Sequence, residues 1–414
     1  MPALQPVRGT HDIMPEAMRR HRRVVDTARE IAARYGYQEM ITPVFEFTEV
    51  FKRTLGDTSD IVTKEMYTFA MGDGESITLR PEATAGIARS VISGGLTQQL
   101  PLKFFYTGPM FRHERPQKGR QRQFHQIDAE LIGVAEPLGD VEVIALGAAV
   151  LEALGILDRT TLELNTLGDP ESRQAYREAL IDYFSAHQGD LSEDSLARLH
   201  RNPLRILDSK DKSDRKIVAD APLFADYLNA VSVDYFEAVK AGLDALGIGY
   251  SLSPRLVRGL DYYTHTAFEF TTTQLGAQGA VIGGGRYDGL IETMGGPSIP
   301  ATGWAAGIER LALMLAEAPD APRPIAMVPL GAAAEAKGLV LTQALRQAGY
   351  SVDLGFSGNL SKRMKRANKL GARAAVLLGD DELAQEAATV RDLDSGEQDL
   401  VPLSTLSEYL ARYR

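Results

Sequence analysis

The sequence predicts an α+β fold: an antiparallel sheet with flanking helices, interrupted by a helical insertion and followed by a small α/β domain. Residues 1–165 combine one amphipathic helix, Arg19 to Tyr35, with several short β runs, a mixture typical of antiparallel sheets. Residues 170–250 are acidic and mostly helical, and β-rich sequence returns only at Val257 to Phe270. We therefore interpret residues 170–250 as an insertion between two halves of one unit.

A proline-rich segment predicts the boundary of the second domain. Ala316 to Pro324 carries three prolines in nine residues, a composition that cannot continue a helix and suits a linker. We therefore expect one domain over residues 1–320 and a second over residues 325–414. In the second domain, predicted strands alternate with predicted helices. The strands are Ile325–Leu330, Tyr350–Phe356 and Ala374–Leu378, and the helices are Ala334–Gln347 and Leu360–Leu370. Gly349 and Gly371 are expected to end the two helices.

The composition is that of an ordinary globular protein and excludes several classes of site. The absence of cysteine excludes disulfides, thiolate metal sites and a cysteine nucleophile. The net charge is −10, and the excess of acidic residues lies in the middle of the chain. Because no segment is basic throughout, strong nonspecific binding of nucleic acid is not expected. The N-terminal residues lack a continuous apolar core, and no apolar run is long enough to span a membrane. We expect a cytoplasmic protein without a membrane segment.

Residues Phe104 to Gly133 predict a β-hairpin in which two β runs flank a charged loop. Because side chains alternate along a strand, Gln126, Asp128 and Glu130 share one face of the return strand, and apolar residues occupy the other. One face would thus be packed, while the other presents an amide and carboxylates in a row, with Arg112 nearby. A solvated sheet face shows the same alternation, so the pattern does not name a ligand.

The segment Leu79 to Thr84 places a carboxylate at the start of a helix. Pro81 limits the backbone, and a helix is predicted to begin near Ala83. Glu82 either accepts hydrogen bonds from an ammonium group or favours the positive end of that helix. Both interpretations stay open at the level of sequence.

The segment Leu256 to Phe270 places Arg258 beside a glycine and ahead of the paired Tyr262 and Tyr263. A guanidinium fork next to phenols suits a small anionic ligand. Paired tyrosines also fill protein cores with their hydroxyl groups hydrogen-bonded, so this pattern too has a structural interpretation.

Two glycine-containing segments follow. Ala280 to Gly289 has three glycines after a strand, where backbone could approach a nucleotide closely, but it does not have the spacing of a P-loop. Gly303 to Leu315 gives a strand, a glycine break and a helix. Arg310 falls in the first turns of that helix, where its charge opposes the helix dipole, so solvent, an anion or a π-face must compensate it.

Taken together and in this order, these segments resemble the class II aminoacyl-tRNA synthetases, and among them the histidyl-tRNA synthetases. The stretch from Arg112 to Glu130 resembles motif 2 of the class, Gly303 to Leu315 resembles motif 3, and the helix and strand around Pro43 resemble motif 1, the dimer-forming element. Two segments are specific to the histidine enzyme: Arg8-Gly-Thr-His-Asp12 and Leu256-Val-Arg-Gly-Leu-Asp-Tyr-Tyr263.

The resemblance implies a fold and a reaction. The fold is a six-stranded antiparallel catalytic sheet, an inserted helical domain and a C-terminal anticodon-binding domain, in a homodimer. The reaction joins L-histidine to tRNA(His) through histidyl-adenylate, with ATP as substrate and Mg²⁺ as the expected metal ion, to which the sequence assigns no ligands. The alternative is the synthetase-like regulatory subunit of ATP phosphoribosyltransferase, which binds histidine without aminoacylating and normally lacks the anticodon-binding domain that residues 322–414 supply here.

The resemblance also implies roles for individual residues. Fixed positive charge for the reaction would come from Arg112, Arg258 and Arg310. Histidine would be bound by Glu82, Thr84, Arg112, Gln126, Glu130, Arg258, Tyr262 and Tyr263; ATP by Arg112, Glu114, Arg120, Phe124 and Arg310; and tRNA by Gln117, Arg120, Arg122, Lys362 and Arg366. Gly283, Gly284 and Gly303 resemble positions where backbone meets ligand. Lys362 and Arg366 belong to a predicted helix with a basic face, which is equally consistent with simple solvation.

Overall fold

The computed structural model describes residues 3–414 apart from 57, 58, 60, 73, 117, 118, 208, 210, 259, 261, 277 and 278. The chain divides into two compact units, Met1–Pro319 and Asp320–Arg414. The division falls inside the proline-rich segment, where proline cannot continue a helix. None of the helices in the described ranges has the length and apolar character needed to cross a membrane.

The first unit contains eleven strands and ten α-helices among its described residues. The strands are β1 Gln38–Met40, β2 Phe45–Phe47, β3 Tyr67–Ala70, β4 Ser76–Leu79, β5 Leu102–Phe111, β6 Gln123–Ile132, β7 Thr161–Thr166, β8 Ser251–Leu252, β9 Thr264–Thr271, β10 Ala280–Arg286 and β11 Ala301–Gly307. The helices are α1 Pro15–Arg34, α2 Thr48–Leu55, α3 Thr84–Ser93, α4 Pro137–Ala153, α5 Pro170–Ser185, α6 Glu193–Arg198, α7 Lys212–Ala219, α8 Ala230–Ala245, α9 Leu290–Thr293 and α10 Ile308–Met314.

The central sheet has eight strands in the order β1-β5-β6-β11-β10-β9-β7-β8. The six strands from β5 to β7 in that order are antiparallel, which confirms the expected antiparallel sheet. The structure adds a parallel strand at each edge, β1 beside β5 and β8 beside β7. A separate small sheet, β2-β4-β3, is antiparallel throughout.

The two faces of the central sheet differ because alternate side chains of each strand point to opposite sides. On β6, Ile127 and Leu131 pack in one apolar core with α1, α4 and α10. Gln126, Asp128 and Glu130 lie on the opposite face, and all three are buried. The predicted hairpin is confirmed, and the alternative of a solvated face is wrong because α3 and the helical insertion cover this side with a second apolar core.

The insertion consists of helices α5 to α8, as the acidic, strand-poor sequence predicts. Four polar side chains start these helices by accepting backbone N–H groups of the first turn, which stabilises a helix by about 1 kcal/mol each. These N-caps are Asp169, Ser192, Asp211 and Asn229.

The β-rich stretch predicted from Val257 is wrong in its first part, since β9 begins only at Thr264. The preceding residues turn instead, because Arg258 folds back to form an ion pair with Glu269 on β9. That pairing brings together residues eleven positions apart, which an extended strand could not do.

The second unit has a five-stranded sheet in the order β13-β12-β14-β15-β16. Its elements are β12 Ile325–Pro329, α11 Ala332–Gln347, β13 Val352–Leu354, α12 Leu360–Lys369, β14 Ala374–Leu378, α13 Asp380–Ala384, β15 Ala387–Asp392, β16 Gln398–Pro402 and α14 Leu406–Tyr409. The predicted strands and helices are present, and β12, β13 and β14 are parallel. Gly349 and Gly371 follow the two longer helices with φ of 89° and 61°, the left-handed conformation that favours glycine. The antiparallel strands β15 and β16 were not predicted.

Candidate active site

A cavity of about 460 Å³ lies on the face of the central sheet opposite α1, α4 and α10. Segments far apart in the sequence meet there: the start of α3, the β5–β6 hairpin, the turn before β9, and strands β10 and β11. The predicted site residues that line the cavity are Glu82, Thr84, Arg112, Glu114, Arg120, Phe124, Gln126, Glu130, Arg258, Tyr262, Tyr263 and Arg310. Every residue assigned to histidine or ATP is therefore in one cavity.

Glu130 is held rigidly at one end of the cavity. Its carboxylate accepts hydrogen bonds from the Thr84 hydroxyl at 2.6 Å and from the Tyr287 hydroxyl. Burial raises the pKa of Glu130 to about 8, even though the two hydroxyl groups favour the charged form. Gly303, opposite on β11, leaves room for it, since a Cβ at position 303 would lie 1.6 Å from Glu130 Oε2.

Glu82 has the helix-start role that the sequence offered as one of two interpretations, and it also lies in the cavity lining. One oxygen accepts the backbone N–H of Thr84 at 2.9 Å and the other accepts that of Ala85 at 2.8 Å, so the carboxylate starts helix α3. The same side chain lines the cavity. Burial raises the pKa of Glu82, partly opposed by these backbone hydrogen bonds. Each carboxylate oxygen keeps a second lone pair, with which it can still accept from a ligand.

Three guanidinium groups converge on the cavity. Arg112 donates from Nε to the Pro81 carbonyl oxygen at 2.8 Å, Arg258 pairs with Glu269, and Arg310 donates to the carbonyl oxygens of Gly119 at 3.0 Å and Ala280 at 2.7 Å. The sequence analysis required a group that compensates the charge of Arg310 at the start of α10, and these carbonyl groups do so. Burial and then the nearby Arg120 lower the pKa of Arg310, so this end of the cavity attracts anions.

An aromatic ring and an ion pair complete the same end. The guanidinium carbon of Arg112 lies 5.2 Å from the centroid of the Phe124 ring. Arg120 Nε lies 2.6 Å from Glu114 Oε2. The guanidinium carbon of Arg258 lies 5.5 Å from the centroid of the Tyr263 ring. The cavity thus combines buried carboxylates and phenols with three guanidinium groups.

The comparisons with known proteins agree with this geometry. Residues 9–311 match the family model described as Histidyl-tRNA synthetase, and residues 325–413 match the model described as Anticodon binding domain. The chain is 63% identical over the whole of both chains to Histidine--tRNA ligase from Rhodospirillum rubrum. It is 57% identical to that from Gluconacetobacter diazotrophicus, over 99% of each.

The chain belongs to the histidyl-tRNA synthetase family.

A solved structure gives the same result for the fold. The crystal structure of apo S. aureus histidyl-tRNA synthetase is similar over 98% of this chain and 99% of that one, with a TM-score of 0.83 and 37% identity. The similar region includes both compact units of the present chain.

Three acidic or phenolic residues of the site escaped the sequence analysis. Tyr287 lies in the segment noted for its glycines and donates to Glu130. Glu269 lies at the end of the arginine and tyrosine segment and pairs with Arg258. Glu309 precedes Arg310 and lines the cavity. Each of the three lies in a segment that the sequence analysis described. Only the order of the strands shows which side chains of such a segment face the cavity.

The three glycines expected to meet ligand also make room for neighbouring groups, and Gly283 and Gly303 line the cavity. A Cβ at Gly283 would lie 2.4 Å from Arg258, and one at Gly284 would lie 2.2 Å from the Gly303 carbonyl oxygen. These glycines therefore make room for a side chain or for the neighbouring strand. Gly303 does the same for Glu130.

Arg122, which was assigned to tRNA, is not in the cavity lining. Arg122 packs against Gly9, where a Cβ would lie 2.8 Å from its Cγ, and its Nε donates to the Glu114 carbonyl oxygen at 3.2 Å. Its backbone N–H also donates to Gly9, so Arg122 ties the N-terminal segment to the hairpin loop. Gln117 lies outside the described residues.

The basic helix of the second unit is only partly free. Lys362 is exposed, and Arg366 forms a bidentate pair with Asp353 at 2.9 and 2.8 Å. Arg363 is buried and donates to Glu335 at 2.6 Å. The remaining cations of the predicted face, Lys365 and Lys369, are exposed.

One group of side chains among the described residues has the composition of a metal site. His21, His125 and Glu309 each offer a ligand atom, and these atoms are within 4.8 Å of one another. His125 Nδ1 already shares a 2.8 Å hydrogen bond with Glu309, and the His125 backbone N–H donates to the same carboxylate. The pair therefore holds the start of α10 against β6.

Proposed function

We propose that this chain ligates L-histidine to tRNA(His) in two steps that consume ATP. In the first step, a histidine carboxylate oxygen bonds to the α-phosphorus of ATP while the bond to the β-phosphate breaks and pyrophosphate leaves. In the second, the 3′-terminal ribose hydroxyl of tRNA attacks the histidyl carbonyl carbon, loses its proton, and AMP leaves. The convergence of three guanidinium groups with Glu130 in one cavity carries this proposal.

The first step brings two anions together, so it needs fixed positive charge more than a protein nucleophile. Arg112 and Arg258 would face the α-phosphate and the histidine carboxylate. Arg310 would meet the adenine and the γ-phosphate, with Phe124 beside the nucleotide and Glu114 and Arg120 near it. Backbone carbonyls and carboxylates already orient these guanidinium groups, which reduces the reorganisation required during the reaction.

Histidine would be recognised by hydrogen bonds to both ring nitrogens. The Glu130 carboxylate accepts from the ring N–H, and the Tyr263 hydroxyl donates to the other nitrogen. The ammonium group would lie near Glu82, Thr84 and Gln126, with Tyr262 beside the ring. A site that hydrogen-bonds the ring rejects apolar analogues far better than an apolar pocket does.

We further propose Mg²⁺ as the metal ion of the reaction. The cavity lining supplies the carboxylates of Glu114 and Glu269. This donor set fits the ion, which typically binds one or two carboxylates together with substrate phosphates. When bound, Mg²⁺ would neutralise charge on the β- and γ-phosphates.

For tRNA, we propose that residues 1–320 form the catalytic domain and residues 325–414 bind the anticodon. Lys362 is an exposed cation of α12 that would contact phosphate, and Arg366 would do so if it leaves Asp353. Gln117, Arg120 and Arg122 would meet the acceptor end. The presence of the second unit favours this function over that of a regulatory subunit, which has no use for an anticodon-binding domain.

We also propose a cytoplasmic homodimer. The small sheet exposes a set of large apolar side chains that are about half accessible in one chain. These are Phe45 at 55%, Phe47 at 55%, Phe69 at 50% and Met71 at 46%. A contiguous apolar surface of this kind typically marks an interface, and it lies directly after the motif 1 strand.

The exchange of labelled pyrophosphate into ATP tests the function directly. We expect exchange only when histidine is present, and aminoacylation only of tRNA(His). Exchange that ignores histidine, or that occurs with another amino acid alone, would refute the proposal. The variant Arg258→Ala should abolish most exchange while the protein still unfolds cooperatively.

A further inference from the structure

Asp128 is a buried carboxyl group that the proposed chemistry does not use. It lies on β6 between Gln126 and Glu130, and the alternation of side chains puts it on the same face as both. Those two neighbours line the cavity, while Asp128 is 0% exposed. Its Cα is paired with those of Tyr106 on β5 and Ala305 on β11.

Neither carboxyl oxygen of Asp128 has a hydrogen-bond partner among the described residues. Such a group is rare in a folded protein, because a buried polar atom without a partner destabilises the fold. The neighbouring Gln126 Oε1 is buried without a partner as well. A purely structural carboxylate would be paired, as Asp214 is with three serine hydroxyls in the insertion.

The other two buried carboxylates of the cavity are well supplied with donors. Glu82 accepts two backbone N–H groups, and Glu130 accepts two hydroxyl groups. Hydrogen bonds to a carboxylate favour its charged form. Of the three carboxyl groups that share this buried region, Asp128 has no donors, so it is the one that holds its proton most strongly.

The charges around Asp128 point the same way. Burial raises its pKa well above the ordinary value, and Glu130 and Glu82 raise it further, while two guanidinium groups oppose them. One of these, Arg80, is committed to the carbonyl oxygens of Pro109, Thr42 and Pro43 and does not bond to Asp128. The titratable groups facing Asp128 are Arg80 and Glu82 before α3, Tyr106 on β5, Arg112 after β5 and Glu130 on β6; from β11, Ala305 contributes none.

We propose that Asp128 is a positioning residue for histidine, which holds a proton in the free protein and releases it when the substrate ammonium group enters the cavity. The O–H bond breaks, the electron pair stays on the carboxylate oxygen, and the proton passes to the buffer. The carboxylate formed in this way strengthens the negative potential around the ammonium group, acting through the Glu82 and Gln126 side chains. This inference rests on the proposed function, because it takes histidine as the ligand.

Titration calorimetry of the full chain with histidine tests the inference. The binding heat is measured near pH 7.5 in two buffers that differ in their own protonation enthalpy, and the difference gives the number of protons released. We expect release of up to about one proton per histidine bound. Asp128→Asn keeps the shape of the side chain but cannot ionise, so we expect it to remove most of this proton release. We also expect it to raise the histidine Kd about tenfold, which is the change in an equilibrium constant that one pKa unit represents.

Asp214→Asn is the matched control, because it removes a carboxylate of equal burial that lies outside the cavity and is fully paired. It should leave proton release and histidine affinity unchanged. Histidine binding without proton release, or release that persists in Asp128→Asn, would overturn the inference and assign any proton to Glu130. A chain that fails to bind histidine at all would instead refute the proposed function. Should Asp128→Asn not fold, the two-buffer measurement on the unaltered chain still decides whether a proton is released.

Discussion

The variant Gly303→Ala is expected to disable histidine recognition through a single methyl group. The added Cβ would lie 1.6 Å from Glu130 Oε2 and 2.6 Å from the Ala129 carbonyl oxygen. Real Cβ atoms do not approach so closely, and the backbone cannot yield because β11 is paired on both sides. The carboxylate must therefore rotate away and lose its hydrogen bonds to Thr84 and Tyr287.

The size of the effect follows from the interaction that is lost. Above pH 8, where Glu130 is charged, its hydrogen bond with the ring N–H contributes about 1.5–3 kcal/mol, which corresponds to roughly 10- to 150-fold in kcat/KM for histidine. Pyrophosphate exchange at varied histidine and at varied ATP would measure it, and the KM for ATP should change much less. Thermal unfolding would verify that the variant is folded.

Gly307→Ala is the matched control on the same strand. Its added Cβ would have Arg310 Cδ as its nearest neighbour, at 3.6 Å, an ordinary van der Waals distance. We expect the histidine KM of this variant to stay near that of the unaltered chain. If Gly303→Ala activates histidine as well as Gly307→Ala does, then Glu130 does not recognise the ring and the reasoning is wrong.

Three further predictions concern catalysis, pH and assembly. Arg258→Ala should lower the adenylation rate about 100- to 1,000-fold, the effect of removing one preorganised charge, with a much smaller change in histidine affinity; equal losses in single-turnover rate and affinity would show that Arg258 serves binding alone. Because the pKa of Glu130 rises from 4.5 to about 8 on folding, the native state binds more protons, so its contribution to stability falls as the pH rises from about 4.5 to about 8. The free energy of unfolding, measured with denaturant across this pH range, should decline less steeply in Glu130→Gln than in the unaltered chain. The same dependence on pH in both would contradict the assigned pKa. If the chain forms the proposed homodimer, Phe47→Asp should convert it to monomer in sedimentation velocity, whereas Phe356→Asp, at an exposed position in the second unit, should leave the mass unchanged. A dimer that survives Phe47→Asp would place the interface elsewhere.

Local patterns in the sequence predicted most of the secondary structure. The two-residue alternation of the hairpin gave β5 and β6 and placed Gln126 and Glu130 on one face. Proline and glycine marked the ends of helices and the boundary between the units. Such signals are readable because strand and helix periods depend only on residues two to four positions apart. The short strands β15 and β16 were not predicted, because the prediction followed the alternation of strands and helices and ended at the strand Ala374–Leu378.

Side-chain partners in the site were decided by the tertiary structure. Tyr287 reaches Glu130 only because β10 and β6 both flank β11, and Gly303 is required only because Glu130 lies opposite it. The missing partners of Asp128 are likewise invisible in a linear pattern. The sequence by itself therefore determined which segments form strands and helices and which of them resemble a known family. The order of the strands decided which atoms meet, because hydrogen bonds and steric contacts between residues a hundred or more positions apart depend on distance in space and not along the chain.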